Sequence, residues 1–225
     1  VLGSLKLGNV AKIDKTFCRQ LETAVAGRKI LLAASTHKGE DACIISAANT
    51  LGQDWLTIIA PRHPHRGPEI AADGNMAPQR SLGQWPLADR NLYIMDTFGE
   101  MGSLFSIADL TILGGSFVAK GGHNPLEPAA FGLPIITGPH IFKNTAEFAG
   151  LRDIGVVFDM ANDGDNLASA GQALADMAIA IMKNKEQYRR ITSAAKTYAA
   201  TARKRSKEAA KMIAAIASET QTISE

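Results

Sequence analysis

"ADLTILGGSFVAKGGHNPLEPAAFGLPIITGP", residues 108–139, sets two apolar runs around a stretch of glycines, prolines and one short helical pattern. "ADLTILGGS" (108–116) reads as a buried strand, "NPLEPAAFG" (124–132) as a short helix and "LPIITGP" (133–139) as a second strand. Apolar strands interleaved with helices indicate a parallel sheet covered on both faces. Working outward, "KILLAAS" (29–35), "DWLTIIAPRH" (54–63), "NLYIMD" (91–96) and "IGVVFD" (154–159) are further strands. "GEDACIISAANTLG" (39–52) and "GEMGSLFSIA" (99–108) are helices between them, and a short strand is expected at Met76–Gln79 inside the polar, Pro/Gly-rich segment 66–89. After residue 165 the pattern is wholly helical. The fold class is therefore α/β: a Rossmann-like parallel sheet with helices on both faces, followed by C-terminal helices. Residues 1–28 are expected as a linker, 29–200 as the Rossmann-like domain and 201–225 as a C-terminal helix.

With 225 residues and 46% hydrophobic content, the chain can bury a sizeable core without metal or disulfide staples. Its two cysteines, Cys18 and Cys43, fit neither a disulfide framework nor a zinc spacing and read as free thiols. The formal net charge of +2 gives no argument for nucleic acid. No apolar run reaches the roughly 20 residues that span a bilayer. The opening "VLGSLKLGNV" lacks the features of a signal peptide and contains no initiator Met, which suits a fragment or a processed chain. The basic run Arg203, Lys204, Arg205, Lys207 reads first as the solvated face of an Ala-rich helix.

Ligands of doubly wound sheets bind beyond the carboxyl ends of the strands. Those ends carry Ser35, Thr36 and His37; then Arg62, His63 and His65; then Asp96, Thr97, Gly99, Glu100 and Met101; then Gly114, Gly115 and Ser116. All five histidines fall on this one rim. Ser35 and Thr36 can equally cap the next helix. Arg62, at a strand end between prolines, suits a phosphate or carboxylate. His63 and His65 alternate along an extended segment without an acidic cluster, which disfavours a metal pair. Asp96, Thr97 and Glu100 also read as ordinary cap and dipole residues.

Residues 114–134 are more pointed, with five glycines and three prolines around His123, Asn124 and Glu127. Gly114 and Gly115 allow backbone N–H groups to face a ligand with no Cβ between. Asn124, Pro125 and Glu127 fit the N-cap, N1 and N3 places of a capping box, but Pro128 and the glycines upstream, Gly122 among them, go beyond that need. An acid at this end repels phosphate and suits the paired hydroxyls of a ribose. The combination points to a nucleotide. A Walker lysine loop and a G-x-G-x-x-G after the first strand are both missing, which weakens ATPase and dehydrogenase readings.

"STHKGED" (35–41), "APRHPHR" (60–66) and "DTFGEMGSLFSIADLTILGGSFVAKGGHNPLEPAAFGLPIITGPH" (96–140) resemble the C-terminal half of 3-deoxy-D-manno-octulosonic acid (Kdo) transferases, GT-B glycosyltransferases of lipopolysaccharide assembly. "GSLKLG" (3–8) resembles the end of that family's amino-terminal domain. The resemblance implies transfer of Kdo from CMP-Kdo to a lipid A precursor, inverting and without a metal or other cofactor, at the cytoplasmic face of the bacterial inner membrane. It implies that this soluble half binds the donor: Arg62, with His63 beside it, at its phosphate or carboxylate. Gly114, Gly115 and Ser116 would support the phosphate, and Gly122, His123 and Asn124 would orient donor groups. Glu127 would hold the ribose, Gly99, Glu100 and Met101 the cytidine, and Ser35, Thr36 and His37 would line the cleft. The catalytic base would come from the amino-terminal domain, so the resemblance assigns no catalytic residue to these residues and implies that they are inactive alone. His65, where the family usually has Glu, and "IFKN" (141–144) depart from the family pattern. Two other readings stay open. One is a GT-B enzyme using a UDP-sugar, such as a UDP-GlcNAc 2-epimerase or transferase; the other is a non-catalytic nucleotide-sugar-binding module that uses the Arg203–Lys207 face.

Overall fold

The computed structural model describes residues 12–160 and 167–222. Helix α1 (Lys15–Val25) precedes β1 (Lys29–Thr36), α2 (Asp41–Leu51), β2 (Trp55–Pro61), α3 (Gly67–Asp73), β3 (Leu92–Ile94) and α4 (Met101–Ile107). Then follow β4 (Leu110–Leu113), α5 (Leu126–Phe131), β5 (Ile135–Thr137), α6 (Thr145–Asp153), β6 (Val157–Asp159), α7 (Leu167–Lys183) and α8 (Lys185–Thr222). The six strands form one sheet in the order β3-β2-β1-β4-β5-β6, and every pairing is parallel. The order reverses between β1 and β4, so the crevice of a doubly wound sheet opens beyond the carboxyl ends of those two strands.

Alternate residues of β1 feed opposite cores. Leu31 and Ala33 pack with Ile44, Ala47 and Leu51 of α2 and with Leu174 and Ala178 of α7. Ile30, Leu32 and Ala34 pack with Phe17, Leu21 and Val25 of α1 and with Leu104 and Phe105 of α4. A third cluster sets Leu126 and Ala129 of α5 and Phe148 and Leu151 of α6 against Ile191, Ala195 and Ala199 of α8. Gly171 lets α7 cross α2 closely, because a Cβ there would collide with the Ser46 side chain. Helix α8 is held to the sheet by Tyr188, whose hydroxyl donates to the Asp109 carbonyl at 2.8 Å.

The architecture matches the sequence expectation, with differences in detail. The segment expected as a linker holds α1, capped by the Asp14 carboxylate, which accepts from Thr16 N–H at 2.8 Å and Phe17 N–H at 3.1 Å. Its Leu21 is fully buried. Residue 200 falls inside α8, which runs without a break. The strand expected at Met76–Gln79 is reduced to a single bridge between Gln79 and Ile94. Met76 there takes a positive φ of 56° and is 73% exposed, so the backbone turns where an extended run was expected. Helix α6 goes beyond the sequence reading; its signal is Asn144 ahead of a helical spacing that buries Phe148 and Leu151. The match to "GSLKLG" and the first residues of the late helical region, 165 and 166, lie outside the described residues. Among the described residues no helix is long and apolar enough to cross a membrane.

Because α1 supplies core side chains, Leu21→Ala is expected to lower the free energy of unfolding by about 2–5 kcal/mol. Urea denaturation followed by circular dichroism measures this, and an unchanged midpoint would show α1 to be dispensable.

Candidate functional site

The site begins with backbone strain at the end of β1. Ser35 is a non-glycine residue at φ 58°, and the β1–β2 register shifts between Ala34 and Thr36. This kink drives the Ser35 carbonyl toward β4, where Gly114 makes room: a Cβ at Gly114 would collide with the Ser35 carbonyl and the Thr36 backbone. The loops after β1 and β4 are then tied by Glu40, which is 1% exposed. Its Oε2 accepts from the N–H groups of His37 at 2.7 Å and Gly115 at 2.9 Å, and its Oε1 accepts from Phe117 N–H at 3.0 Å. Burial raises the Glu40 carboxyl above its ordinary pKa, while the three backbone donors and the Asp41 charge act on it less strongly, in opposite senses.

This arrangement corrects the expectation that Gly114, Gly115 and Ser116 offer open groups to a phosphate. The Gly115 N–H belongs to Glu40, and Gly114 N–H donates to the Ala34 carbonyl at 2.9 Å. The buried Ser116 hydroxyl donates to Leu113 O at 2.5 Å and accepts from Gly138 N–H at 2.9 Å. These residues build the wall of the site. Thr36 is likewise corrected: it is fully buried, and its hydroxyl donates to Asp41 Oδ1 at 3.0 Å in a network completed by Arg66.

The cleft itself has two lobes. One, of about 530 Å³, is lined by Ser35, Arg62, His123, Asn124 and Glu127, together with Gly122, Lys143 and Asn144. The other, of about 240 Å³, is lined by Ser35, Arg62, Gly99, Glu100, Met101 and Glu127, with Thr97 and Phe98 at its side. Ser35, Arg62 and Glu127 border both, so the lobes form one continuous cleft. Arg62 is positioned by its own N–H, which donates to the Thr36 carbonyl at 2.9 Å, and its side chain is exposed.

Helix α5 opens one residue later than expected, at Leu126 with Pro125 at the N-cap, so Asn124 stands one place ahead of the cap and its Oδ1 accepts from Leu126 N–H at 3.1 Å. Glu127 faces the cleft on the exposed side of the helix. Desolvation by the cleft walls raises its pKa; a hydrogen bond from Asn124 and the Arg62 charge oppose that rise. Glu100 is held by Arg80, whose Nε donates to Oε1 at 3.2 Å, and by the Thr97 hydroxyl. Arg80 in turn lies over the rings of Phe17, at 5.2 Å, and Trp85, at 4.9 Å.

Four of the five histidines do converge. The His37 and His123 rings lie edge to edge and nearly parallel, with centroids 5.2 Å and Nε2 atoms 3.0 Å apart; His63 meets His37 edge-on at 5.9 Å, and His65 stacks on His63 at 5.8 Å. His63 opens a 3-10 turn, Pro64–Arg66, where an extended segment was expected, and so His63 and His65 stack together. Burial, with smaller contributions from His37, Arg62 and Lys143, pushes His123 down to about 4. His37 is lowered by burial first, then by His63 and neighbouring cations. Among the described residues no group of three or more His, Cys, Asp or Glu is placed to hold a metal ion. Cys18 and Cys43 are free and buried, and burial raises Cys43 to about 11.

Sequence reading passed over Glu40, Arg80, Lys143 and Asn144 as members of this site. Glu40 sits in "STHKGED" where an acid before a helix looks like a dipole residue. Asn144, in the segment that departs from the family pattern, reaches the cleft by donating from Nδ2 to the Gly122 carbonyl at 3.2 Å.

No family model matches this sequence. Curated relatives do. A 3-deoxy-D-manno-octulosonic acid transferase of Haemophilus influenzae is 36% identical over 154 residues, covering 65% of this chain and 36% of that protein. One of Rickettsia prowazekii is 34% identical over 174 residues, covering 74% of this chain and 38% of that protein. The solved C-terminal CMP-Kdo binding domain of WaaA from Acinetobacter baumannii aligns with a TM-score of 0.70 and 26% identity, covering 81% of this chain and 96% of that one. By sequence and by fold, the chain is a relative of the Kdo transferases. It spans little more than a third of the length of the two curated relatives. Anabaena HepE in complex with UDP and glucose shares the fold at a TM-score of 0.63 and 15% identity.

Two outcomes follow from the site chemistry. Glu40→Ala leaves three backbone N–H groups, one buried and two part-buried, without their acceptor and is expected to lower unfolding free energy by about 3 kcal/mol. His123 is held neutral in the fold down to about pH 4, whereas an unfolded His protonates near 6.5. The unfolded state therefore binds the proton first, and the contribution of His123 is present above 6.5 and lost as pH falls toward 4. His123→Gln should flatten this part of the stability profile in urea titrations at stepped pH; an unaltered slope would show that the ring does not titrate as the geometry requires.

Proposed function

We propose that this chain is the donor-binding half of a Kdo transferase, holding CMP-Kdo in the cleft beyond β1 and β4 while Kdo passes to a lipid A precursor in lipopolysaccharide biosynthesis. The observation that carries this reading is the arrangement of Arg62 and Glu127 on the shared border of two lobes. A guanidinium recognises the phosphate or the Kdo carboxylate through paired N–H donors. A carboxylate on the same border recognises the ribose diol and repels the phosphate, so the two residues hold neighbouring groups of one ligand and set which way round it lies. The lobe of Gly99, Glu100 and Met101, with exposed Phe98 beside it, takes the cytosine. His123, Asn124, Lys143 and Asn144 surround the sugar-acid end. Support for CMP-Kdo as the donor comes from the solved domain described above as CMP-Kdo binding.

In the proposed reaction a carboxylate from outside these residues takes the proton of an acceptor hydroxyl. The hydroxyl oxygen attacks the anomeric carbon of Kdo, the bond from that carbon to the CMP phosphate oxygen breaks, and a single displacement inverts the configuration. Arg62 and Lys143 stabilise the charge that develops on the departing phosphate, which is the electrostatic share of catalysis and needs no metal. The full enzyme works at the cytoplasmic face of the inner membrane, and its amino-terminal domain supplies the acceptor site. This chain alone binds donor without turning it over.

The reading is tested by thermal shift with CMP, CMP-Kdo and UDP. A ligand at 100 times its Kd adds about 2.7 kcal/mol of apparent stability, so CMP and CMP-Kdo should raise the melting midpoint by several degrees and UDP by much less. Glu127→Ala and Arg62→Ala should each weaken CMP-Kdo binding by about tenfold or more, as expected for a lost charge-assisted contact. Preference for UDP would move the chain to the UDP-sugar branch of the GT-B enzymes.

A further inference from the structure

The facing nitrogens of His37 and His123 lie 3.0 Å apart, a hydrogen-bond distance that admits one proton and not two. One ring donates Nε2–H and the other accepts with its lone pair, so the pair in this geometry carries a charge of zero or one. The rings are nearly parallel, at 4°, and Gly115 lies against both, where a Cβ would sit 3.4 Å from each. Glu40 fixes the pair from the buried side by accepting from His37 N–H and Gly115 N–H.

The surrounding charge is lopsided. Arg62, Arg66 and Lys120 act on His37 together with the neighbouring His63, and Arg62 and Lys143 act on His123. His65 stands one ring further out, stacked on His63. Two carboxylates accompany them: Glu40, whose oxygens are taken by backbone N–H groups, and Glu127 across the cleft, whose charge faces Arg62. Arg66 is already paired with buried Asp41. The cleft therefore holds Arg62, Lys120 and Lys143 around a histidine pair that burial first, and their field second, keep short of a proton.

An anionic ligand reverses that field. A donor with a phosphodiester and a carboxylate brings two negative charges beside Arg62 and Lys143 and removes the repulsion that opposes protonation of the pair. We infer that the His37–His123 pair takes up one proton when such a donor enters the cleft and becomes a cationic contact for it, so that donor binding is coupled to pH. The inference rests on the donor-site reading and adds a role for His123, which lines the cleft, and for His37 bonded to it. The balance is simple: the proton comes from solvent, adds to Nδ1 of the ring that donates the shared Nε2–H, which is the one lone pair the two rings have free, and leaves again with the ligand. By linkage, affinity rises as pH falls, by up to about tenfold per pH unit where a whole proton is taken up.

The test is isothermal titration of CMP-Kdo into this chain at pH 6 and pH 8 in buffers of different ionisation enthalpy, which counts protons directly. CMP-Kdo is used because its phosphodiester and carboxylate do not titrate in that range, whereas the phosphate monoester of CMP does. The expected result is uptake approaching one proton near pH 6, tighter binding at pH 6 than at pH 8, and loss of both the uptake and the pH dependence in His37→Gln and His123→Gln. Ring-carbon NMR of the unmodified chain gives a second readout that needs no variant: one of the two rings should titrate at higher pH in the presence of CMP-Kdo than without it. Binding with no proton uptake and unmoved ring titrations overturns this inference alone. Failure of CMP-Kdo to bind at all overturns the donor-site reading and this inference with it.

Discussion

A carboxylate with almost no access to water is expensive to keep in a protein interior unless its oxygens are met by donors. Glu40 is met by three, all from backbone, and they come from two loops. His37 belongs to the loop after β1; Gly115 and Phe117 belong to the loop after β4. Those strands are neighbours at the point where the sheet reverses its order, and their loops diverge unless something closes the gap. Glu40 closes it. The positive φ of Ser35, the close approach at Gly114 and the contact between His37 and His123 then fit together as one wall. Moving the carboxylate would release all of these at once, which is why so much of the cleft depends on a residue that lines neither lobe.

The same wall shows what sequence could and could not convey. Apolar runs at 29–35, 54–63 and 108–116 announced parallel strands because burial on both faces leaves a continuous hydrophobic signature. The rim was legible too: Arg62, His123, Asn124 and Glu127 do line the cleft, placed there by the rule that ligands sit beyond strand carboxyl ends. The glycines at 114 and 115 were read correctly as a place where backbone comes close to something. Their partners were not legible, since Glu40 lies 75 residues upstream of Gly115 and pairing at that separation leaves no periodic trace. A nest of N–H groups suits an anion, and here the anion is the chain's own. Thr36 was assigned to the cleft for a similar reason: a hydroxyl at a strand end looks available until a buried Asp41 is found to accept its hydrogen. At Met76–Gln79 a short strand was expected within a polar, Pro/Gly-rich segment, but a left-handed turn at Asn75 and Met76 breaks the extension.

Charge is divided within the cleft in a way that gives a bound ligand a direction. Arg62 and Lys143 are exposed cations of the larger lobe; Arg62 and the acid Glu127 share the border between lobes, with desolvation working against the Glu127 charge and Arg62 working for it. Glu100, the acid of the smaller lobe, is already engaged by Arg80 and Thr97. A nucleotide entering with its phosphate toward Glu127 would face repulsion in a partly desolvated site, where Coulomb energies exceed those in water. Entering with its ribose there, it offers two hydroxyl donors to the same carboxylate. One exposed acid thus rejects one orientation and favours the other. A cleft lined only by cations would bind the anion more strongly and orient it less. For a reaction in which the phosphate must depart along a fixed line, orientation is the property that the geometry favours.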